Sequence, residues 1–125
     1  MKQVLSMEIN HEDKVIEIHI RNLSNKNTLT DMYKILNCDC VTCTEIEIDG
    51  KYYDVWSDDC SLLKDSPIPT LYINEDLILF GNLLFAKTNK NGDTCGLSLS
   101  DVHIIYEYIK QQAPKLKEWI SRNKG

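Results

Sequence analysis

The sequence predicts an α+β fold: an antiparallel β-sheet core with a short internal helix and two C-terminal helices, in a single domain over residues 1–125. Three observations carry this. Residues alternate along two stretches, with Ile16, Ile18 and Ile20 against Glu17, His19 and Arg21, and later Ile46 and Ile48 against Glu45 and Glu47. Asp49-Gly50, the dipeptide favoured in a type I′ turn, joins the second of these to another strand. Near the end the pattern changes to helical spacing in Val102, Ile105, Tyr106 and Ile109. Strands followed by helices imply an antiparallel sheet with helices packed on one face or one end.

In chain order, Val4 to Ile9 and Val15 to Arg21 form an opening hairpin around the polar turn Asn10-His11-Glu12-Asp13. After a polar loop, Leu29, Met32, Tyr33 and Leu36 share one helical face, with Thr28 as the expected cap and Asp31 in the first turn. Thr44 to Ile48 and Lys51 to Ser57 flank the Asp49-Gly50 turn, with Tyr53 and Val55 on one face and Tyr52, Asp54 and Trp56 on the other. Ser66-Pro67-Ile68-Pro69 reads as loop, because two prolines remove two donors. Asp76 to Lys87 is the most apolar run, with apolar residues on both faces, so a doubly covered central strand is expected. Gly81 and Asn82 interrupt it: glycine marks a bulge or a close approach, and a buried amide needs partners from the protein or from a ligand. Ser98 with Asp101 reads as a capping box for the next helix. Pro114 is expected to end that helix and start a last one carrying Leu116, Trp119 and Ile120.

Of 125 residues, 42% are hydrophobic and 26% charged, enough apolar material for a core. Met1 to Glu8 lacks a basic region followed by a long apolar run, and no segment reaches the ~20 apolar residues of a membrane-spanning helix, so a cytoplasmic protein without a membrane partner is expected. Net charge is −5 and Arg21 and Arg122 are the two arginines, which argues against a duplex nucleic-acid binder. A small anion held by one or two placed cations remains compatible.

Five cysteines, an odd number, do not suggest a disulfide framework. Cys38, Cys40 and Cys43 are close enough in sequence to hold a soft metal with Cys60 or Cys95, but no second knuckle accompanies them, and buried, inert thiols are the alternative. Cys40 and Cys43 have redox spacing without the strand-then-helix setting. No nucleophile motif or phosphate loop is present, so neither enzymatic activity nor a cofactor is expected. Asp54, Asp58 and Asp59 are a carboxylate cluster open to a divalent cation or to service as an ordinary turn. The remaining set is Trp56, Tyr72, Phe80, Asn82 and Phe85 with Arg21: core residues, or groups that stack on a nucleobase and pair with phosphate.

The stretch Asp49 to Asp59 (Asp-Gly-Lys-Tyr-Tyr-Asp-Val-Trp-Ser-Asp-Asp) resembles the "DGK.YDI..DDEG" hairpin of a broad phage and plasmid family of small proteins without assigned function. Phe80 to Phe85 is similar to its "i.GN.li" strand, and Gly92-Asp93 with Gly96 to Asp101 to its helix start. Size and C-terminal helices resemble, within that family, the phage Thoeris anti-defence one sponges, which sequester a cyclic ADP-ribose-type signal of bacterial Thoeris immunity without cleaving it. The resemblance covers roughly Glu45 to Ile109. It implies homodimers or higher homo-oligomers, a signal pocket between protomers, cyclic oligonucleotides as further ligands, and action in the host cytoplasm. It marks Asn82 as the matched position in the motif strand, with Tyr72 or Phe80 as the base-stacking aromatic. Arg21 and Arg122 are assigned to the phosphates on charge chemistry. The competing reading is a metal-stabilised interaction module, built on Cys38, Cys40 and Cys43, that inhibits a host protein.

Overall fold

The computed structural model describes residues 1–60 and 67–123. The opening hairpin consists of β1 (Lys2–Asn10) and β2 (Val15–Leu23), paired antiparallel over their full length. Helix α1 (Thr28–Leu36) follows, then the hairpin of β3 (Val41–Ile48) and β4 (Lys51–Asp58). Its turn residues Asp49 and Gly50 both take positive φ, as a type I′ turn requires. β5 (Pro69–Asn74) and β6 (Leu77–Phe80) make a separate two-stranded sheet. β7 (Leu83–Thr88) returns to the main sheet, whose order is β2-β1-β7-β4-β3, and β8 (Thr94–Cys95) pairs with the end of β7. Helix α2 (Leu99–Arg122) closes the described chain. The α+β reading with an antiparallel sheet and a short internal helix therefore holds.

Each face of the main sheet has its own core. On one side Leu5, Met7, Tyr53, Val55, Leu83 and Phe85 pack under α2 and the β5–β6 hairpin. On the other, Val4, Leu23, Leu84 and Ala86 pack under Met32 and Leu36 of α1. Strand β7 is thus covered on both faces, and Leu83, Leu84, Phe85 and Ala86 are 0% exposed. That is why its sequence lacks the alternation of the half-exposed strands.

Three local expectations are corrected. The run from Asp76 to Lys87 is two strands, because Gly81 takes φ +77 and Asn82 follows it out of the small sheet and into the large one. Thr28 does not cap α1: the N-cap is Asn27, without a side-chain cap bond, and the Thr28 hydroxyl donates instead to the Ser24 carbonyl at 2.7 Å. The two C-terminal helices are one, with Pro114 inside it. Pro114 lies on the exposed side, so water can serve the carbonyl that its missing N–H leaves free, while Ile105, Ile109, Gln112 and Leu116 continue one buried stripe past it. Of the Ser66–Pro69 loop, Ser66 lies outside the described residues, and Pro69 is the first residue of β5, a position where a strand tolerates proline.

Pro114→Ala restores the missing bond within α2 and loses only the stiffness proline gives the unfolded chain. We expect a net gain of about 1–2 kcal/mol, read as a higher urea midpoint at unchanged slope. An unchanged or lower midpoint would mean that the proline costs the helix nothing.

The predicted capping box of α2 forms. The Ser98 hydroxyl accepts from the Asp101 amide at 3.1 Å and the Asp101 carboxylate accepts from the Ser98 amide at 3.0 Å. No helix among the described residues is long and apolar enough to cross a membrane.

Candidate ligand-binding cleft

Alternation on β4 sends Tyr53 and Val55 into the core beneath α2 and turns Trp56 to the α1 side, where its ring packs against the second core. The indole Nε1 is buried and has no hydrogen-bond partner among the described residues. A buried donor left unpaired costs about 1–3 kcal/mol. The ring lines a cleft of about 600 Å³, within the usual range for small-molecule sites. The other walls are Lys2 at the start of β1, Asn25 before α1, Thr28, Leu29 and Met32 of α1, and Asn89 with residues 93–96 around β8.

Local contacts hold these walls. The Lys2 ammonium donates to the Thr28 hydroxyl at 2.9 Å, which fixes the cation at the first turn of α1. Asn27 makes no side-chain cap bond, and Asp31 in the first turn, which accepts from the Ser24 amide at 2.7 Å, is the acidic group at that end of the helix. Gly96 packs against β1, where a Cβ would lie 2.9 Å from the Gln3 backbone nitrogen, and the Leu97 amide donates to the Gln3 carbonyl at 2.7 Å. Asn89 shapes its turn by accepting from the amides of Asn91 and Asp93. The cleft thus combines a cation and a helix start for an anion, an indole for an aromatic ring, and Asp93 as an acceptor for hydroxyl groups.

The residues singled out from the sequence fall in two other places. Arg21 on β2 forms two 2.8 Å bonds with the Glu8 carboxylate and borders a smaller cleft with Asn22, Asp31, Lys34 and Ile35. Burial alone would raise the Glu8 carboxyl, but the bonds from Arg21 and Ser6 hold it below its ordinary value. Asn82 is served by the protein: its carbonyl accepts from the Ile9 amide at 2.9 Å and its NH₂ donates to the Ile35 carbonyl at 3.0 Å. Tyr72, Phe80 and Arg122 gather beside the end of α2. Tyr72 and Arg122 both donate to Glu75, at 3.2 and 2.6 Å, and the Phe80 ring meets Trp119 edge-on with centroids 6.3 Å apart. Among the described residues Arg21 and Tyr72 border different clefts. Phe85 is core.

The cysteines separate too. Cys38, Cys40 and Cys60 border one cleft of about 450 Å³ with Asp39 and Asp58. Although Cys43 is exposed, partial desolvation of its thiol, with Asp54 and then Glu45 nearby, pushes it up to about 11. No group of three or more metal-ligating side chains comes together among the described residues. Asp54 accepts a bond from Thr88, and Asp58 accepts from the Cys60 amide at 2.9 Å, which is turn chemistry.

Trp56 was visible in the sequence as one of the aromatic set. Lys2, Asn25 and Asn89 were not, and Thr28 was read only as a helix cap, because these residues come from separate elements and form no motif.

Fold and cleft define a small α+β protein with a main sheet covered on both faces and an open cleft that Trp56 helps to line. The chain belongs to the family described as domain of unknown function DUF3846, whose match spans residues 1–112. Neither a curated protein nor a solved structure matches it.

Proposed function

We propose that the protein is a non-enzymatic binder that sequesters a small cyclic nucleotide signal, of the cyclic ADP-ribose type used by bacterial Thoeris defence. The observation that carries the reading is the Trp56 side chain in the wall of a cleft that also holds Lys2 and the start of α1. In this reading the Trp56 ring stacks on the base, a contact of about 1–3 kcal/mol. Lys2 and the first turn of α1 take the phosphates, and Asp93 accepts from ribose hydroxyls. The described lining contains no histidine and no motif that pairs a nucleophile with a base, which suits holding a ligand intact. The resemblance of residues 45–109 to the phage sponges supplies the signal class and the setting, the cytoplasm of an infected cell, with self-assembly into a homodimer or higher homo-oligomer.

Titration calorimetry with cyclic ADP-ribose and glycocyclic ADP-ribose tests this. One or both bind, and mass analysis after heat release recovers the ligand unchanged. Trp56→Leu keeps an apolar side chain but removes the stacking ring and weakens binding about tenfold. Lys2→Gln weakens it and flattens the salt dependence. Binding unaffected by both substitutions removes the cleft from the reading, and release of a cleaved ligand ends the non-enzymatic reading.

A further inference from the structure

The apolar face of the main sheet runs one strand beyond the elements that cover it. β2 is an edge strand: β1 is its only partner among the described residues. Register with β1 sets Ile16 beside Ile9, Ile18 beside Met7 and Ile20 beside Leu5, the side of the sheet that α2 covers. Yet Ile16 and Ile18 are 36% exposed and Ile20 48%. Between this stripe and α2 lies an apolar groove of about 260 Å³, bordered by Met7, Ile16, Ile18, Leu71, Ile109 and Leu116. A long apolar edge with no proline, bulge or inward charge is a template for another strand.

We propose that the occupant is β2 of a second copy, paired antiparallel about a twofold axis through Ile18. This deepens the self-assembly in the proposed function by assigning the contact surface and its register, and it is argued from the edge rather than from the nucleotide cleft. The self-complementarity of the strand selects both partner and register. Centred on Ile18, Ile16 of each protomer faces Ile20 of the other, Ile18 faces its own copy, and Glu17 faces His19 in both directions on the opposite side of the sheet. Centred on Glu17, two carboxylates would be opposed and Ile20 would face Lys14. Centred on His19, two imidazoles would meet and Ile16 would face Asn22. Of the three, the Ile18 register alone pairs every isoleucine with an isoleucine and opposes no like residues with charge. It joins the two sheets into one and carries each isoleucine stripe toward the groove beside its neighbour's α2. A two-fold contact of this kind uses the same patch twice, as closed dimers do.

Sedimentation over about 1–100 μM tests it, the range in which a specific contact of this size is expected to associate. The expected result is twice the 14.4 kDa of one chain. Ile18→Lys sets two ammonium groups across the axis and weakens association at least about 100-fold, with a far-UV spectrum unchanged because the site is exposed. Cysteine scanning, with the exposed Cys40, Cys43 and Cys60 replaced by serine, fixes the register without relying on that variant. Ile18→Cys cross-links to itself under mild oxidation. Ile16→Cys does not, but cross-links when mixed with Ile20→Cys. A monomer throughout the range overturns the proposal, as does a dimer indifferent to Ile18→Lys or any other cross-linking pattern.

Discussion

Asp101→Ala is expected to cost about 3–5 kcal/mol, a large part of a typical domain's stability, and to give the largest loss of any single polar substitution in this protein. Asp101 is 1% exposed. Its carboxylate accepts from the Tyr53 hydroxyl at 2.8 Å, the Lys87 ammonium at 2.9 Å and the Ser98 amide and hydroxyl at 3.0 and 2.9 Å. One side chain thus ties α2 to β4 and β7. Alanine leaves the Tyr53 hydroxyl, itself buried, without an acceptor and removes the reciprocal half of the capping box, the bond that the carboxylate accepts from the Ser98 amide, while the residue-101 amide keeps its bond to the Ser98 hydroxyl. Lys87 is partly exposed and can turn to water, which holds the cost toward the lower end.

The same group sets an acid limit. Burial pushes the Asp101 carboxyl up, but the bonds from the Ser98 amide, Lys87, Tyr53 and the Ser98 hydroxyl outweigh it and hold the group well below its ordinary 3.8. A carboxyl whose folded value is depressed contributes stability that is fully present above the unfolded value. That contribution is lost as the pH falls through 3.8 toward the folded value. Urea midpoints between about pH 7 and about pH 3 will therefore fall more steeply in the wild type than in Asp101→Asn. Parallel curves would mean that this network does not discriminate between the charged and neutral carboxyl. Tyr53 shifts the other way: burial and then the Asp101 carboxylate raise its hydroxyl, so it remains a donor throughout.

Asn82→Leu is expected to destabilise the protein by about 2–4 kcal/mol in the absence of any ligand. Leucine fits the apolar run but serves neither the Ile9 amide nor the Ile35 carbonyl, which the asparagine bridges between β1 and α1. The measurement is a thermal or urea melt of the purified protein. A variant as stable as the wild type would show that water replaces both bonds, and would leave Asn82 free for another role.

What could be read from the sequence was what local pattern determines. Alternation located β2 and the β3–β4 hairpin, the polar turn Asn10–Asp13 set β1 before it, and Asp49-Gly50 fixed the second turn. The unbroken apolar run predicted a strand covered on both faces, and β7 is that strand. Ser98 and Asp101 announced the cap of α2. The misses have one cause, tertiary context. Pro114 carries a strong local instruction to stop, overridden by a buried stripe that continues across it. Gly81 looked like a perturbation within one strand and is the joint between two sheets. Asn82 read as a group in need of partners, which was correct, but its partners are 73 and 47 residues away in the chain. Lys2, Thr28 and Asn89 reach the Trp56 cleft by the same kind of long-range closure, so no spacing rule could assemble them.

The position of β7 also orders events in time. It lies between β1 and β4, yet it is made after both. The two hairpins that emerge first from a ribosome can each form locally, but they have no direct place beside one another until Leu83–Thr88 arrives. Until then the inner edges of β1 and β4 stay open, with Leu5 and Val55 among the side chains that later become inaccessible. A nascent chain is most vulnerable to pairing with the wrong strand during that interval, while residues 59–82 are still being added.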